Sequence, residues 1–222
     1  MKTYVLASST QWPLNAFLKR RPKLPGRWIT VTANDDFDCI ISSSVRYIFF
    51  PHWSSIVPKS ITDMYECVGF HMSNLPYGRG GSPLQHLIAG GAKWTTVTAF
   101  RMTKDLDAGP IYLKHNMPLE GSAEDCYARA AEVSMEMIEE IVATEPTPVP
   151  QTGEATIFKR RRPEDSLIHG LKTIEELYNH IRMLDANGYP RAFLQHHGFR
   201  FEFRDAQPAN ETLIAKVRIT RA

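Results

Sequence analysis

The stretch from Cys67 to Ile88 permits few folds. Cys67–Phe70 is an apolar run suited to a short buried strand. It is followed by His71, Met72, Ser73, Asn74, Leu75, Pro76, Tyr77, Gly78, Arg79, Gly80, Gly81, Ser82 and Pro83. Gly and Pro crowd the end of this loop, as suits a backbone that turns sharply or approaches a ligand. Ser82 and Pro83 then offer an N-cap and an N1 proline for a helix through Ile88. His71 falls at the carboxyl end of a strand and just before a helix, the edge at which open α/β sheets bind ligands.

Tyr4–Ala7, Trp28–Thr32, Arg46–Phe50 and Thr95–Phe100 read as further strands, and Leu14–Arg20 as a helix. A long helix is expected from about Ser122 to Ala143, with Asp125 three residues after the Ser122 cap as a partial capping box. Strands alternating with helices predict an α/β fold, a twisted and mostly parallel sheet with helices on both faces. Glu145–Gly153 carries three prolines and reads as a linker. It separates a main domain, residues 1–150, from a small α+β extension, residues 151–222, expected to pack on it. In that extension Thr173–Leu184 reads as a helix, and Phe199–Phe203 and Leu213–Ile219 as strands.

Composition excludes several classes of function. A net charge of +2 over 222 residues makes no electrostatic case for nucleic acid or a membrane surface. Cys39, Cys67 and Cys126 are far apart and form no CxxC, so neither a zinc site nor a disulfide framework is indicated; reduced thiols in a cytoplasmic protein are the simplest reading. Met1–Ser9 is too short for a signal peptide and reads better as a first strand. No apolar run reaches transmembrane length. The loop from Ser8 to Trp12 has no glycine, against a dinucleotide fingerprint there.

Three features converge if the strands are parallel: His71, Asp107 in a Gly/Pro-rich turn, and the loop around Trp53. A carboxylate beside an imidazole favours its protonated form and fixes its tautomer. Such a pair polarises a carbonyl, stabilises an oxyanion or moves a proton. A histidine ending a strand also serves as a packed or capping residue, and an Asp leading into Gly-Pro as a turn former. Spacing alone leaves both readings open.

The order His71, Ser73, Leu75-Pro76, Arg79-Gly80, Pro83, then Leu106-Asp107-Ala108-Gly109-Pro110-Ile111, resembles the folate-dependent formyltransferases. These include the methionyl-tRNA, glycinamide-ribotide and sugar-nucleotide N-formyltransferases. The similarity covers about Tyr47 to Leu113. Arg161–Ser166 through Tyr189–Phe193 also looks like the region that follows the catalytic domain in the sugar-modifying members. The resemblance implies a Rossmann-like domain and a 10-formyltetrahydrofolate donor, with no metal. It implies that His71 stabilises the tetrahedral intermediate near the formyl oxygen, and that Asp107 holds His71, orders a water and helps take the amine proton. Pro51, Trp53, Ser54 and Ile56 would line the folate, with Met102, Thr103, Lys104 and Asp105 on its other side. Ser9, Thr10, Gln11, Asn74, Tyr77, Arg79 and Gly80 would face the acceptor. Gly69 departs from the family pattern, which has Asn two residues before the histidine to donate to the formyl oxygen; Asn74, a backbone N–H or a water is then the candidate replacement.

The tail resembles the branch acting on nucleotide-linked 4-amino-4,6-dideoxy sugars, UDP-linked for preference, in surface-polysaccharide or pseudaminic-acid-type synthesis. A methionyl-tRNA acceptor would go with a longer, more basic chain. The alternatives are formylation of a carrier-bound aminoacyl group and a folate- or sugar-nucleotide-binding protein without turnover. For Arg79, phosphate binding and pinning of its own loop are equally open. An apolar tail face is a candidate homodimer interface.

Overall fold

A computed structural model describes residues 1–40 and 44–222. It contains a six-stranded sheet in the order β2-β1-β3-β4-β6-β7. The strands are β1 Thr3–Ala7, β2 Arg27–Val31, β3 Val45–Pro51, β4 Cys67–His71, β6 Trp94–Arg101 and β7 Ile111–Pro118. A two-residue strand β5, Arg79–Gly80, pairs with β8, Ile157–Phe158. A second sheet orders β11 Thr212–Arg221, β10 Phe199–Ala209 and β9 Ala192–His196. The helices are α1 Gln11–Arg20, α2 Lys59–Met64, α3 Pro83–Ala89, α4 Ala123–Thr144 and α5 Ile174–Arg182.

β1 pairs in parallel with β2 and β3, and β3 with β4. Alternation along these strands sorts their side chains onto two faces. Val5, Ala7, Val31, Ile48, Phe50 and Cys67 join Phe37, Ile40, Val57 and Ile61 in one buried cluster. On the other face the Trp28 ring meets Tyr4 at 5.0 Å, Phe17 of α1 at 5.4 Å and Phe49 at 6.0 Å. Phe17 is fully buried, a contribution of about 2–3 kcal/mol from the hydrophobic effect. β3 is nearly continuous in apolar residues because both of its faces are covered.

β4 and β6 do not follow the parallel pattern. They are antiparallel, with Val68 opposite Arg101 and His71 opposite Thr98. The exit of β6 therefore lies beside the start of β4, not beside His71. The expectation that Asp107 reaches His71 along a shared parallel edge is corrected: the loop from Met102 to Pro110 has to bring it back.

The Pro-rich segment is not a free linker. Val149 and Ile111 exchange backbone hydrogen bonds at 2.7 and 2.9 Å, and Thr156 accepts from the Arg79 amide at 2.9 Å. Proline suits this place because a strand edge that donates only at alternate positions tolerates it. The chain divides into two compact units. One comprises Met1–Gly80, Thr96–Met117 and Ala128–Ile157; the other comprises Gly81–Thr95, Pro118–Tyr127 and Phe158–Ala222. The first thus runs past residue 150, and the second draws two segments from within 1–150.

Two helix starts follow their local capping chemistry, and the one expected at Ser82 does not. Ser122 and Asp125 form the expected reciprocal pair before α4, as do Thr173 and Glu176 before α5. Ser82 does not cap α3. It is left-handed at φ 55°, and its hydroxyl instead accepts from the Arg161 amide. Among the described residues no helix is long and apolar enough to cross a membrane.

Candidate active site

His71 ends β4 with its side chain 8% exposed, and Asp107 Oδ2 lies 3.6 Å from its Nδ1. The other ring nitrogen, Nε2, is 2.7 Å from the Gly78 carbonyl. A carbonyl only accepts, so Nε2 carries a proton and donates it. Neutral His71 then holds its lone pair on Nδ1, toward Asp107, and the next proton it takes goes to that side. Ser73 supports the same loop by donating to the Tyr77 and Gly78 carbonyls. Thr98, opposite His71 in the sheet, donates to the Ser73 carbonyl at 2.7 Å.

Asp107 is held from two sides. Its Oδ2 accepts from the Gly80 amide at 2.9 Å, and its backbone carbonyl accepts from Gln151 Nε2 at 2.8 Å. Its φ of 50° is in the left-handed region, which costs a non-glycine residue about 1–2 kcal/mol and so needs such support. The same Nε2 donates to the Gly109 carbonyl at 2.8 Å. Gln151 Oε1 in turn accepts from Arg79 Nε and Nη2 at 3.2 and 2.7 Å. The Arg79 guanidinium is thus held by the side chain of Gln151, a residue that sequence reasoning placed in a linker. Nothing in the residue pattern around Gln151 marked it.

Gly69 sits opposite Phe100, and a Cβ built there would stand 2.8 Å from the Phe100 ring and 3.2 Å from Met102 Cγ. The volume a side chain at 69 would use is filled by the neighbouring strand. Asn74 is exposed, and its Oδ1 accepts from Lys114 Nζ at 2.7 Å. That bond turns its carboxamide oxygen toward β7 and engages the acceptor, not the Nδ2 donor. Lys114 also donates to the Leu75 carbonyl, and partial burial holds its pKa below the usual lysine range.

The remaining candidates divide by location. Ser9 Oγ lies 3.5 Å from both the His52 carbonyl and Ser54 Oγ, which joins the β1 and β3 exits. Thr10 is half-buried, and Gln11 opens α1 exposed. Pro51 is buried, while Ser54 and Ile56 are exposed. Trp53 packs on Phe37 and Phe50 at 5.8 and 5.7 Å. Met102 donates its amide to Cys67 and packs on the same cluster; Thr103, Lys104 and Asp105 are exposed beyond it. Tyr77 is 46% exposed. A cavity of about 470 Å³ opens at the amino edge of the sheet, lined by Met1, Lys2, Thr3, Arg27, Ser44, Val45 and Arg46. None of the sequence-predicted site residues lines it. Among the described residues no cluster of His, Cys, Asp and Glu could hold a metal ion.

His52, unmarked by sequence reasoning, is left-handed at φ 53° and packs edge-on against Trp12 at 5.2 Å. Burial pushes its imidazole from 6.5 down to about 4. Below about 6.5 the unfolded chain takes a proton that the folded one refuses. Stability is therefore lost as pH falls from 6.5 to about 4, by up to about 3 kcal/mol. His52→Asn, which tolerates this backbone, should flatten that part of the profile. Urea midpoints at about pH 7 and about pH 4.5 check it; an unchanged difference between wild type and variant would refute the assignment.

Comparison with known proteins bears on this arrangement. Residues 32–142 match the family model described as formyl transferase, and residues 163–220 match that of the methionyl-tRNA formyltransferase C-terminal domain. A methionyl-tRNA formyltransferase of Geobacillus sp. (strain WCH70) is 31% identical over 163 residues, 69% of this chain and 51% of that protein. The chain thus spans about half the length of the curated relatives it matches. A solved structure described as methionyl-tRNA formyltransferase from Clostridium thermocellum is 38% identical, with a TM-score of 0.95 over 100% of both chains. A sugar N-formyltransferase from Shewanella sp. FDAARGOS_354 shares the fold at 13% identity, with a TM-score of 0.65 over 97% of this chain and 96% of that one. With half of its residues in the first of these family models, this chain belongs to the folate-dependent formyltransferase family.

Proposed function

We propose that this chain is a cytoplasmic N-formyltransferase that moves a formyl group from 10-formyltetrahydrofolate to the amine of a nucleotide-linked 4-amino-4,6-dideoxy sugar. The observation that carries the transfer is the His71–Asp107 pair, 3.6 Å apart, with His71 locked through Nε2. The donor supplies a formyl carbon already bonded to nitrogen, so the acceptor amine forms one C–N bond as another breaks. His71, protonated on Nδ1, is the donor toward developing negative charge on the formyl oxygen. Asp107 stabilises that imidazolium and accepts the proton that the attacking amine sheds, and that proton is passed on to the donor nitrogen, which leaves as neutral tetrahydrofolate when the tetrahedral intermediate collapses. The β1 and β3 exits suit a flat polar heterocycle. Among the described residues Thr10 Oγ1 and Trp53 Nε1 are buried with no hydrogen-bond partner, a condition costing about 1–3 kcal/mol each until something pairs with them.

The sugar acceptor rests on the resemblance of Arg161–Ser166 and Tyr189–Phe193 to the sugar-modifying members, whereas residues 163–220 as a whole match the methionyl-tRNA formyltransferase C-terminal domain. A second reading, the α-amine of methionyl-tRNA, is favoured by 38% identity to the Clostridium thermocellum protein. Purified protein with 10-formyltetrahydrofolate and a panel of UDP- and dTDP-linked 4-amino sugars, methionyl-tRNA and aminoacyl carrier protein tests both by product mass. Formylation of a sugar alone is expected. Formylation of methionyl-tRNA or of the carrier alone would move the acceptor there. Donor binding with no product on any acceptor would favour a binding protein.

A further inference from the structure

We infer that Gln151 is a positioning residue for the proposed transfer, setting Asp107 against His71, with Thr156 setting the other half of the pair. The inference rests on the reaction proposed above.

Gln151 uses its whole hydrogen-bonding capacity on this task. Its carbonyl oxygen takes two N–H groups of Arg79, and its amide gives both hydrogens to the carbonyls of Asp107 and Gly109. It thus grips the loop carrying Asp107 on both sides of the Gly turn. Five residues on, Thr156 Oγ1 accepts from the Gly78 amide at 2.7 Å, and its carbonyl accepts from Arg79. Gly78 is the residue whose carbonyl receives the His71 proton. One short segment therefore fixes the carbonyl that orients the imidazole and the carbonyl that orients the carboxylate. Their 3.6 Å separation is set by the segment as well as by the two residues themselves.

The amide of Gln151 is the informative group. Gln151→Glu keeps the length and keeps an oxygen for Arg79, but turns a second oxygen, without hydrogens, onto two carbonyls. If Gln151 only anchored Arg79, this change would be harmless. If it sets Asp107, kcat should fall about a hundredfold, as displacements near 1 Å do, while KM for donor and acceptor stays within about twofold. The pH profile of kcat should change shape, since the contact between His71 and Asp107 is disturbed. Thr156→Val, which removes the acceptor for Gly78, should give a weaker loss of the same kind.

Steady-state kinetics across pH, with the melting temperature as a check on folding, make the test. Selectively 15N-histidine-labelled protein adds the ring signals of His71, which report whether Asp107 still faces it. A kcat-specific loss with displaced His71 signals supports the inference. A Gln151→Glu enzyme with wild-type kcat and pH profile overturns it. Should Gln151→Glu fail to fold, Gln151→Met is compared with Arg79→Met: both lose the Arg79 anchor and only the first also frees the Asp107 and Gly109 carbonyls, so a larger kcat loss in the first supports the inference and an equal loss overturns it. Wild-type protein without turnover on any acceptor would sink the proposed reaction instead. The ring signals then decide alone: identical spectra in wild type and variant refute the positioning role, and displaced ones uphold it.

Discussion

His71→Ala is expected to lower kcat for formyl transfer about a thousandfold, the combined scale of a lost proton-transfer group and a lost oxyanion donor. Donor binding should change little, because the residues expected to line the folate lie on other loops. His71→Gln separates the parts. Its carboxamide nitrogen stands near the place of His71 Nε2 and can still donate to the Gly78 carbonyl, but it cannot carry a proton to the side of Asp107. Asp107→Asn preserves an oxygen for the Gly80 amide while removing the charge that stabilises an imidazolium. It should cost about a hundredfold or more with an unchanged fold. Rates within about tenfold of wild type for both His71→Ala and Asp107→Asn would move the chemistry away from this pair.

Gly109→Ala should be severely damaging for a single added methyl. A Cβ there would lie 1.7 Å from the Arg101 carbonyl oxygen, a backbone atom with no rotamer to escape into. The loop's base is closed where the Arg101 amide donates to the Pro110 carbonyl at 2.8 Å, so neither strand end can back away cheaply. The loop has to shift, and Asp107 with it. The expected cost is about 3 kcal/mol or more, as for severe overpacking. For a chain of this size that is a melting temperature lower by about 6 °C or more, accompanied by loss of activity. Thermal melts and turnover of Gly109→Ala check it. A variant that melts and reacts like wild type would mean the approach of these backbones is not what seats Asp107.

Most of the parallel half of the fold was legible in the residues. Tyr4–Ala7, Arg46–Phe50 and Cys67–Phe70 are apolar runs too short for helices and bounded by polar or turn residues, and they are strands. The antiparallel β6 was not legible. Its β-branched pattern suits either direction, and only pairing partners decide. β9 escaped notice because Ala192–His196 carries one polar and one basic residue in five, and α2 because six residues give little periodicity. The pairing of His71 with Asp107 was foreseeable through two separated motifs and not through strand geometry, which would have sent the β6 exit to the wrong edge. Gln151 was invisible for a related reason. Its role depends on a Pro-rich segment pairing with Ile111, and proline content argues against such pairing unless the partner strand is known.

The filled space beside Gly69 has a consequence for how this chain can change. A side chain at 69 and the ring of Phe100 compete for one volume. Asparagine at 69 would have to displace the ring edge of Phe100, while shrinking Phe100 alone opens a core cavity. The two substitutions should therefore be non-additive in stability, as expected of side chains that share one volume.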